Sequence, residues 1–373
     1  MNDALNTIPG ALDSQPGVVL ATVIGTSGST PASALARMLV GATGERLAGT
    51  IGGGCIEADV ILAARNTGTG GKSAVMTFTL DEDHFESGML CGGTLDVFIE
   101  PLSARDRPFI VSLLERQTSG QDSIRGTLVG GDGGILDRFL IPLPLDATLP
   151  EPPAPASEQG GELTKLYQTF PSGRDALAAA IEDVSRRGVI ARIPAGVGHL
   201  ILEVVAGVPP LYIFGGGHVS RAVSKIAAIA GFSVTVIDDR PEYANPGRFP
   251  EAARTIASDF VESFRQISTG PSSSIVIVTR GHKADELVLG AAAATQAGYI
   301  GMIGSRKKVA ATFERLIARG VPADALRRVR TPIGLDIGAV NPEEIAVSIV
   351  AEMIHARRSP HAPLRFMSDP PPK

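Results

Sequence analysis

The chain has 373 residues, of which 44% are hydrophobic and 20% charged, and its formal net charge is −5 at pH 7. Because this length exceeds what one ordinary hydrophobic core needs, we expect two domains and a linker. The mildly acidic balance excludes the basic footprint of a nucleic-acid-binding protein.

The N-terminal residues 1–24 carry Asp3 and Asp13 and lack a basic start followed by an apolar block. No signal peptide is therefore predicted, and we expect a cytoplasmic protein. The uncharged run of residues 287–304 is interrupted by glycines, Thr295 and Gln296. It predicts a buried helix followed by a strand and no membrane span.

Residues 1–140 are predicted to form a small α+β domain. Short apolar segments alternate there with Gly, Thr and Ser turns, a pattern typical of strands. The predicted strands are 18–24, 37–40, 74–78 and 94–100, with a helix over 56–64, a second helix over 106–116, and further strands up to residue 140.

The only two cysteines both stand in this domain, each beside glycines, in Gly53-Gly54-Cys55 and Cys91-Gly92-Gly93. Glycine neighbours remove side-chain cover, which favours presentation of a thiol to a ligand. Cys55 precedes a predicted helix, a position that favours the thiolate. In a reducing compartment no disulfide is expected. Burial of either cysteine as a small hydrophobe is the alternative.

Residues 141–208 are predicted to be a linker and bridging segment. The stretch 150–161 is rich in Pro, Glu and Ala, which is typical of a linker or an exposed loop. A helix over 173–187 and a strand over 200–205 are expected to lead into the second half.

Residues 209–358 alternate strand and helix, which predicts a Rossmann-like parallel sheet with helices on both faces. The overall fold class is therefore α/β, with the small α+β domain first. Asn341, before Pro342, is predicted to cap the last helix, and residues 359–373 to be a flexible tail. The predicted strands are 211–214, 234–237, 275–279 and 299–303.

The first of these strands runs into Gly215-Gly216-Gly217-His218-Val219-Ser220, which fits GxGxxG with serine in the third position. Gly215 would make the tight turn and Gly217 would let a pyrophosphate approach the backbone. Asp238 ends the second strand, 23 residues after Gly215, where an acid commonly binds a ribose hydroxyl.

The ends of the other strands carry further polar residues. Ligands in such sheets bind beyond the carboxyl ends of the strands, so these residues predict a crevice for an anionic ligand. The stretch 301–330 has eight Lys or Arg against two Asp or Glu, although Arg327, Arg328 and Arg330 also fit an ordinary solvated face. The candidate residues of the crevice are Gly215, Gly217, His218, Asp238, Arg280, His282, Ser305 and Arg306.

No catalytic residues are assigned. The histidines form no HxH or HxxxH pair, and no tyrosine is followed four residues later by lysine. The missing tyrosine–lysine pair removes one class of dehydrogenase, and a cofactor-binding chaperone is favoured over an enzyme. An NAD(P)-dependent oxidoreductase is one alternative, and a nucleotide-sensing regulatory protein is another.

Several motifs together resemble the xanthine dehydrogenase accessory family, XdhC/CoxI, from about residue 17 to residue 358. In the second half the resemblance rests on the glycine turn, on Asp238-Asp239-Arg240-Pro241-Glu242, and on Gly334-Leu335-Asp336. In the first half it rests on Thr26-Ser27-Gly28-Ser29-Thr30-Pro31, Ala36-Arg37-Met38 and Gly52-Gly53-Gly54-Cys55-Ile56-Glu57.

The resemblance implies a maturation factor. Such a factor binds sulfurated molybdenum cofactor, in its molybdopterin or cytosine dinucleotide form, and delivers it to an apo molybdenum hydroxylase of the xanthine dehydrogenase or aldehyde oxidase type. A cysteine desulfurase would supply the sulfur, and whether the chain forms a homodimer stays open. A soft metal favours thiolates, so Cys55 and Cys91 join the candidate cofactor-binding residues, with Cys55 as a molybdenum contact. Gly53 and Gly54, which precede Cys55, join them as well.

The chain departs from the family pattern at two positions. Ala32 stands where the family often has an arginine, so any anion contact by that arginine is lost. Leu35 stands where the family often has a glycine, and the local loop is expected to differ.

Overall fold

The structure, a computed structural model, describes residues 4–28, 30, 34–79, 93–143, 174–187, 190–195, 198–359 and 363–365. The chain divides into two compact units, Met1–Gly207 and Val208–Lys373. Antiparallel sheets dominate the first unit and a parallel sheet the second, which confirms the predicted fold class.

The larger sheet of the first unit has five strands in the order β3-β2-β1-β5-β4. Successive residues of its central strand are buried on opposite faces: Leu20 packs with Ile8 of the first helix, and Val19 packs with Val60 of the second. The bounds confirm the predicted strands and are β1 (Gly17–Ser27), β2 (Arg37–Gly41), β3 (Arg46–Gly49), β4 (Ala74–Thr79) and β5 (Thr94–Ser103), with helices α1 (Ala4–Ser14) and α2 (Cys55–Gly70).

The second sheet of this unit has four strands in the order β7-β6-β9-β8. Within residues 141–208, predicted as a linker and bridging segment, Ile190–Ala195 and Gly198–Val205 form two of these strands, and the second includes the predicted strand 200–205. The stretch 150–161 lies outside the described residues. The bounds are β6 (Ser123–Gly130), β7 (Ile135–Pro142), β8 (Ile190–Ala195) and β9 (Gly198–Val205), with a 3-10 turn (Ala104–Asp106), α3 (Arg107–Thr118) and α4 (Arg174–Arg187).

Buried charges link the two sheets of the first unit. Arg125 on β6 is 2% exposed, and its guanidinium donates to Glu203 on β9 at 2.9 Å and to Glu100 on β5. Each carboxylate also accepts from a second arginine, at 2.7 Å from Arg37 and 2.8 Å from Arg138. The six groups alternate in sign and are named here the charge chain: Arg37, Glu203, Arg125, Glu100, Arg138 and Asp106.

The sheet of the second unit has six strands in the order β12-β11-β10-β13-β14-β15, which is the 3-2-1-4-5-6 order of dinucleotide-binding folds. Two helices cover one face and three cover the other, as predicted. The strands are β10 (Pro210–Phe214), β11 (Ser233–Asp238), β12 (Arg254–Ala257), β13 (Ser274–Ile277), β14 (Tyr299–Met302) and β15 (Val329–Arg330). The helices are α5 (His218–Ile229) and α9 (Pro342–Arg358) on one face, and α6 (His282–Ala293), α7 (Arg306–Ala318) and α8 (Ala323–Arg327) on the other, with a 3-10 turn at Glu262–Gln266.

The start of α9 confirms the predicted cap. The Asn341 side chain accepts from the Glu344 backbone N–H at 2.8 Å, and the Glu344 carboxylate accepts from the backbone of Asn341 and Val340. This capping box satisfies backbone donors that the first helical turn leaves open. Most of the predicted tail, 359–373, lies outside the described residues. Among those described, no helix has the length and apolar character needed to cross a membrane.

Leu35 adopts a backbone conformation that favours glycine. Its φ is 69°, and its N–H donates to the Val23 carbonyl at 2.9 Å, which holds the conformation in place. The left-handed conformation costs an L-residue about 1–2 kcal/mol that glycine does not incur. Ala32 lies outside the described residues.

Leu35→Gly is expected to be more stable than Leu35→Ala by about 1 kcal/mol. Both variants lose the same half-buried side chain, and only glycine relieves the backbone strain. At an ordinary position alanine would be the more stable of the two. Urea unfolding of the two full-length variants gives the comparison, and an alanine variant at least as stable as the glycine variant would show that Leu35 is unstrained.

Candidate functional site

A glycine loop presents the start of α2 in the first unit. Gly52, Gly53 and Gly54 all have positive φ, at 117°, 79° and 67°. Gly54 caps the helix without a side-chain hydrogen bond, and a methyl group added at Gly53 would meet nothing within 4 Å. Cys55 is the first residue of α2, directly after this open loop. The side chain of Cys55 and the whole of Cys91 lie outside the described part of the chain.

Glu57 holds this loop, a role that the sequence reasoning missed. One carboxylate oxygen accepts from the backbone N–H groups of Ile51 and Gly53, each at 3.2 Å, and from the Thr50 hydroxyl. The other accepts from Arg46 at 3.2 Å. Burial raises the pKa of Glu57, but these hydrogen bonds and the Arg46 charge outweigh it and hold the pKa below its usual value. The sequence feature that could have indicated this role is an acidic residue in the first turn of a helix that follows three glycines.

Glu57→Ala is expected to lower the free energy of unfolding by about 1–3 kcal/mol, because the loop N–H groups lose their acceptor. Hydrogen exchange at Ile51 and Gly53 should become faster. Asp59→Ala, two residues on at an exposed position of the same helix, is the matched control and should change stability by less than about 0.5 kcal/mol. Unchanged exchange at the loop in Glu57→Ala would contradict the assigned role.

The glycine turn of the second unit combines two crowded positions with one open position. At Gly215, where φ is 107°, a Cβ would lie 2.4 Å from the Val278 carbonyl oxygen. At Gly216 it would lie 2.3 Å from the Tyr243 carbonyl oxygen, whereas at Gly217 it would meet nothing within 4 Å. Gly217 caps α5 without a side-chain hydrogen bond. Backbone N–H groups at this helix start therefore border open space, which suits an anion.

Most of the candidate residues of the second unit lie at one edge of its sheet, since its strands are parallel. Arg280 after β13 forms an ion pair of 3.4 Å with Asp239 after β11, so the pair joins the two strands that flank β10. His218 is exposed at the start of α5. The Ser305 hydroxyl caps α7 by accepting from the Lys308 N–H at 3.4 Å.

His282 and Arg306 are the first residues of α6 and α7, and their side chains lie outside the described part of the chain. The candidates of the first unit, Gly53, Gly54 and Cys55, belong to a separate compact unit.

Asp238 is 1% exposed and hydrogen-bonded within the protein. Its carboxylate accepts from the Gly216 N–H at 2.7 Å, from the Arg240 N–H at 3.1 Å, and from the Arg240 side chain at 2.9 and 3.2 Å. Burial raises the pKa of Asp238, but these donors outweigh it and keep the pKa below its usual value. The carboxylate thus ties the glycine turn to the segment after β11.

Three arginines of the basic stretch 301–330 make polar contacts within the protein. Arg328 donates to the carbonyl oxygens of Thr295 and Ala297 after α6, at 2.6 and 2.9 Å. Arg315 and Arg319 both pair with Glu286. Within the described residues, no group of three His, Cys, Asp or Glu side chains is placed to hold a metal ion.

Comparison with known families finds a match in each unit. Residues 11–79 match the model described as the XdhC and CoxI family, and residues 211–353 match the model described as the XdhC Rossmann domain. The chain belongs to the XdhC/CoxI family. The second match spans β10 to α9 and includes the glycine turn, Asp238 and Arg280.

The XdhC-type chain also has relatives in Bacillus and Escherichia. It is 27% identical over 352 residues to a protein of Bacillus subtilis strain 168 that is named a probable xanthine dehydrogenase subunit, covering 93% of this chain and 95% of that protein. It is 31% identical over 163 residues to "Uncharacterized protein YqeB" of Escherichia coli K12, covering 43% of this chain but 29% of that protein.

A solved structure shares the XdhC-type fold. It is a crystal structure from Bacillus halodurans described as a xanthine dehydrogenase, with a TM-score of 0.72 and 23% identity, covering 99% of this chain and 98% of that one. The likeness concerns the fold alone.

Proposed function

We propose that this XdhC-family protein binds sulfurated molybdenum cofactor as cargo and delivers it to an apo molybdenum hydroxylase of the xanthine dehydrogenase type. Family membership links the chain to xanthine dehydrogenase and supports an accessory role in its maturation. The observation that carries the cargo assignment is the open glycine turn at Gly217 in the XdhC Rossmann domain.

The second unit has features that fit the phosphate of such a cargo. Gly217 leaves space in front of the first turn of α5, where backbone N–H groups favour negative charge. Arg240 and Arg280 add guanidinium groups just beyond the ends of β11 and β13, the strands that flank β10. These groups would bind and orient the phosphate end of the pterin.

The first unit supplies the residue that fits the metal. Cys55 opens α2 after three glycines, and a helix start favours the thiolate. Thiolates suit a soft, sulfur-bearing molybdenum centre. The hydroxylation chemistry belongs to the recipient enzyme, and a cysteine desulfurase is the proposed sulfur donor.

The hydrogen bonding of Asp238 weighs against an NAD(P)-dependent oxidoreductase. In dinucleotide-binding enzymes the acid at this position binds the ribose, whereas here Gly216 and Arg240 donate to both of its oxygens.

The test is anaerobic purification of the full chain from cells that make molybdenum cofactor. The proposal expects bound pterin and molybdenum in similar amounts, and mass spectrometry would identify the mononucleotide or cytosine dinucleotide form. Cys55→Ala should lose most of the molybdenum while its unfolding temperature is unchanged, with Cys91→Ala measured beside it. Wild-type protein that retains neither pterin nor molybdenum would overturn the proposal.

A further inference from the structure

Four donors occupy the carboxylate of Asp238 at the end of β11. The Gly216 N–H and one Arg240 side-chain N–H donate to Oδ2, and the backbone N–H and Nε–H of Arg240 donate to Oδ1. A carboxylate offers about four acceptor positions. Its acceptor capacity is therefore filled by the protein, and the side chain is only 2% exposed. A ribose diol would have to displace one of these donors to bind Asp238.

Arg240 is held firmly in this position. Its guanidinium forms a two-bond fork with the carboxylate, at 2.9 and 3.2 Å, and lies 3.5 Å from the centre of the Tyr243 ring. Bidentate pairs and cation–π stacking of this kind are among the stronger arginine interactions. Displacement of the guanidinium by a neutral hydroxyl would therefore be unfavourable.

The same segment is fixed from a second side. Arg248 donates from Nε to the Gly216 carbonyl at 2.9 Å, and its guanidinium lies 5.0 Å from the centre of the Tyr243 ring. The Tyr243 carbonyl oxygen borders Gly216 so closely that a side chain there has no room. The glycine turn and the segment after β11 thus form one hydrogen-bonded assembly, in which Asp238 has a structural role.

Arg240 also retains capacity to bind an anion. A guanidinium has five N–H groups, and two of those of Arg240 bond to Asp238. The other three have no hydrogen-bond acceptor among the described residues, and 22% of the side chain is exposed. Arginine binds phosphate well because its planar donors match the phosphate oxygens.

We propose that Arg240 determines ligand specificity in this crevice. It occupies the carboxylate of Asp238, which would otherwise bind a ribose diol, and it adds a hydrogen-bond donor for phosphate. The ligand class is a phosphate monoester or diphosphate whose ribose hydroxyls, where present, do not contribute to recognition at β11. The inference rests on the proposed function in placing the phosphate of the cargo in this crevice.

The test uses inorganic pyrophosphate, ADP and 2′-deoxy-ADP as probes in calorimetric titrations of the full chain. Wild type should bind pyrophosphate and should bind ADP and 2′-deoxy-ADP with affinities within about twofold of each other. Arg240→Ala should bind pyrophosphate about tenfold more weakly, because one charged hydrogen-bond donor is lost. It should prefer ADP over 2′-deoxy-ADP by about tenfold or more, because the freed carboxylate of Asp238 can accept from the ribose hydroxyl.

Two further variants complete the design. Arg265→Ala removes the same charge from an exposed i,i+3 ion pair on a 3-10 turn and should behave as wild type. If Arg240→Ala does not fold, Arg240→Met, which keeps the aliphatic part of the side chain over Tyr243, provides the same comparison.

Three results would overturn the inference. The first is a wild type that prefers ADP over 2′-deoxy-ADP tenfold, with a preference that Asp238→Asn abolishes. The second is an Arg240 variant that does not distinguish the two nucleotides, and the third is a wild type that binds none of the probes at millimolar concentration. Retention of pterin and molybdenum is measured separately. The inference can therefore fail while the proposed function stands, and the reverse can also be observed.

Discussion

Arg125→Met is expected to lower the free energy of unfolding of the first unit by about 3–5 kcal/mol, because it breaks a buried ion pair by removing one partner. Methionine fills much of the space of the arginine stem, so the loss reports mainly on charge. The variant leaves Glu100 and Glu203 each with one arginine, Arg138 and Arg37 respectively. Three carboxylates and two guanidiniums, all buried or half-buried, would then replace a balanced group. Urea unfolding of the full chain measures the effect.

Arg107→Met provides the matched control. Arg107 also makes a two-bond fork with a carboxylate, that of Asp13, at 3.0 and 3.1 Å. Both side chains are about half exposed, at 44% and 59%. Exposed pairs contribute about 0–1 kcal/mol. Equal losses in the two arginine variants would show that burial of the charge chain adds nothing to its strength.

The charge chain should also make stability depend on pH. Burial raises the pKa of Glu203, but Arg37 and Arg125 outweigh it and hold the pKa below its usual value. A carboxylate with a lowered folded-state pKa stabilises the fold above its unfolded-state pKa of about 4.3, and this stabilisation is lost as the pH falls through the folded-state value. The difference in unfolding free energy between wild type and Arg125→Met should therefore be smaller at about pH 3 than at pH 7. A difference that is constant over this range would contradict the assignment.

The local pattern of the sequence was sufficient for most strands and for the parallel sheet of the second unit, because apolar periodicity and turn residues are local properties. The charge chain was not predictable in this way. Arg37 and Glu203 are separated by 166 residues, and their contact exists only after two sheets have packed. In the sequence Arg125 is a single charge within an apolar strand, which gives no indication of its partners.

For Asp238 the sequence predicted the position of the side chain but not its hydrogen-bond partners. Its spacing from Gly215 predicts a ribose-binding acid, and the structure places it at the end of β11. The spacing fixes where the carboxylate lies but not what it accepts from. Arg240, two residues later, occupies it through a fork that depends on side-chain geometry. The neighbouring arginine in Asp238-Asp239-Arg240 was the available signal.

Gly215→Ala is expected to lower the free energy of unfolding by about 3 kcal/mol or more. Its backbone, at φ = 107°, is unfavourable for alanine, and the new methyl carbon would lie 2.4 Å from the Val278 carbonyl oxygen. Backbone strain and overpacking each cost about 1–3 kcal/mol. Because the clash is with backbone of the adjacent strand end, no side chain can move to relieve it. A variant as stable as wild type, measured by urea unfolding, would show that the turn has room at Gly215.

Gly217→Ala adds the same methyl group two residues later. It is expected to have little effect on stability and a large effect on ligand affinity. Its φ is −74°, which alanine adopts readily, and its Cβ would meet no protein atom within 4 Å. Stability should fall by less than about 1 kcal/mol, the difference between glycine and alanine at a helix cap. The methyl group would instead occupy the space through which a phosphate reaches the N–H groups of α5, so pyrophosphate affinity should fall about tenfold or more. If Gly217→Ala binds pyrophosphate as wild type does, the phosphate does not lie at this turn, and Arg240 would have to bind it elsewhere along the sheet edge.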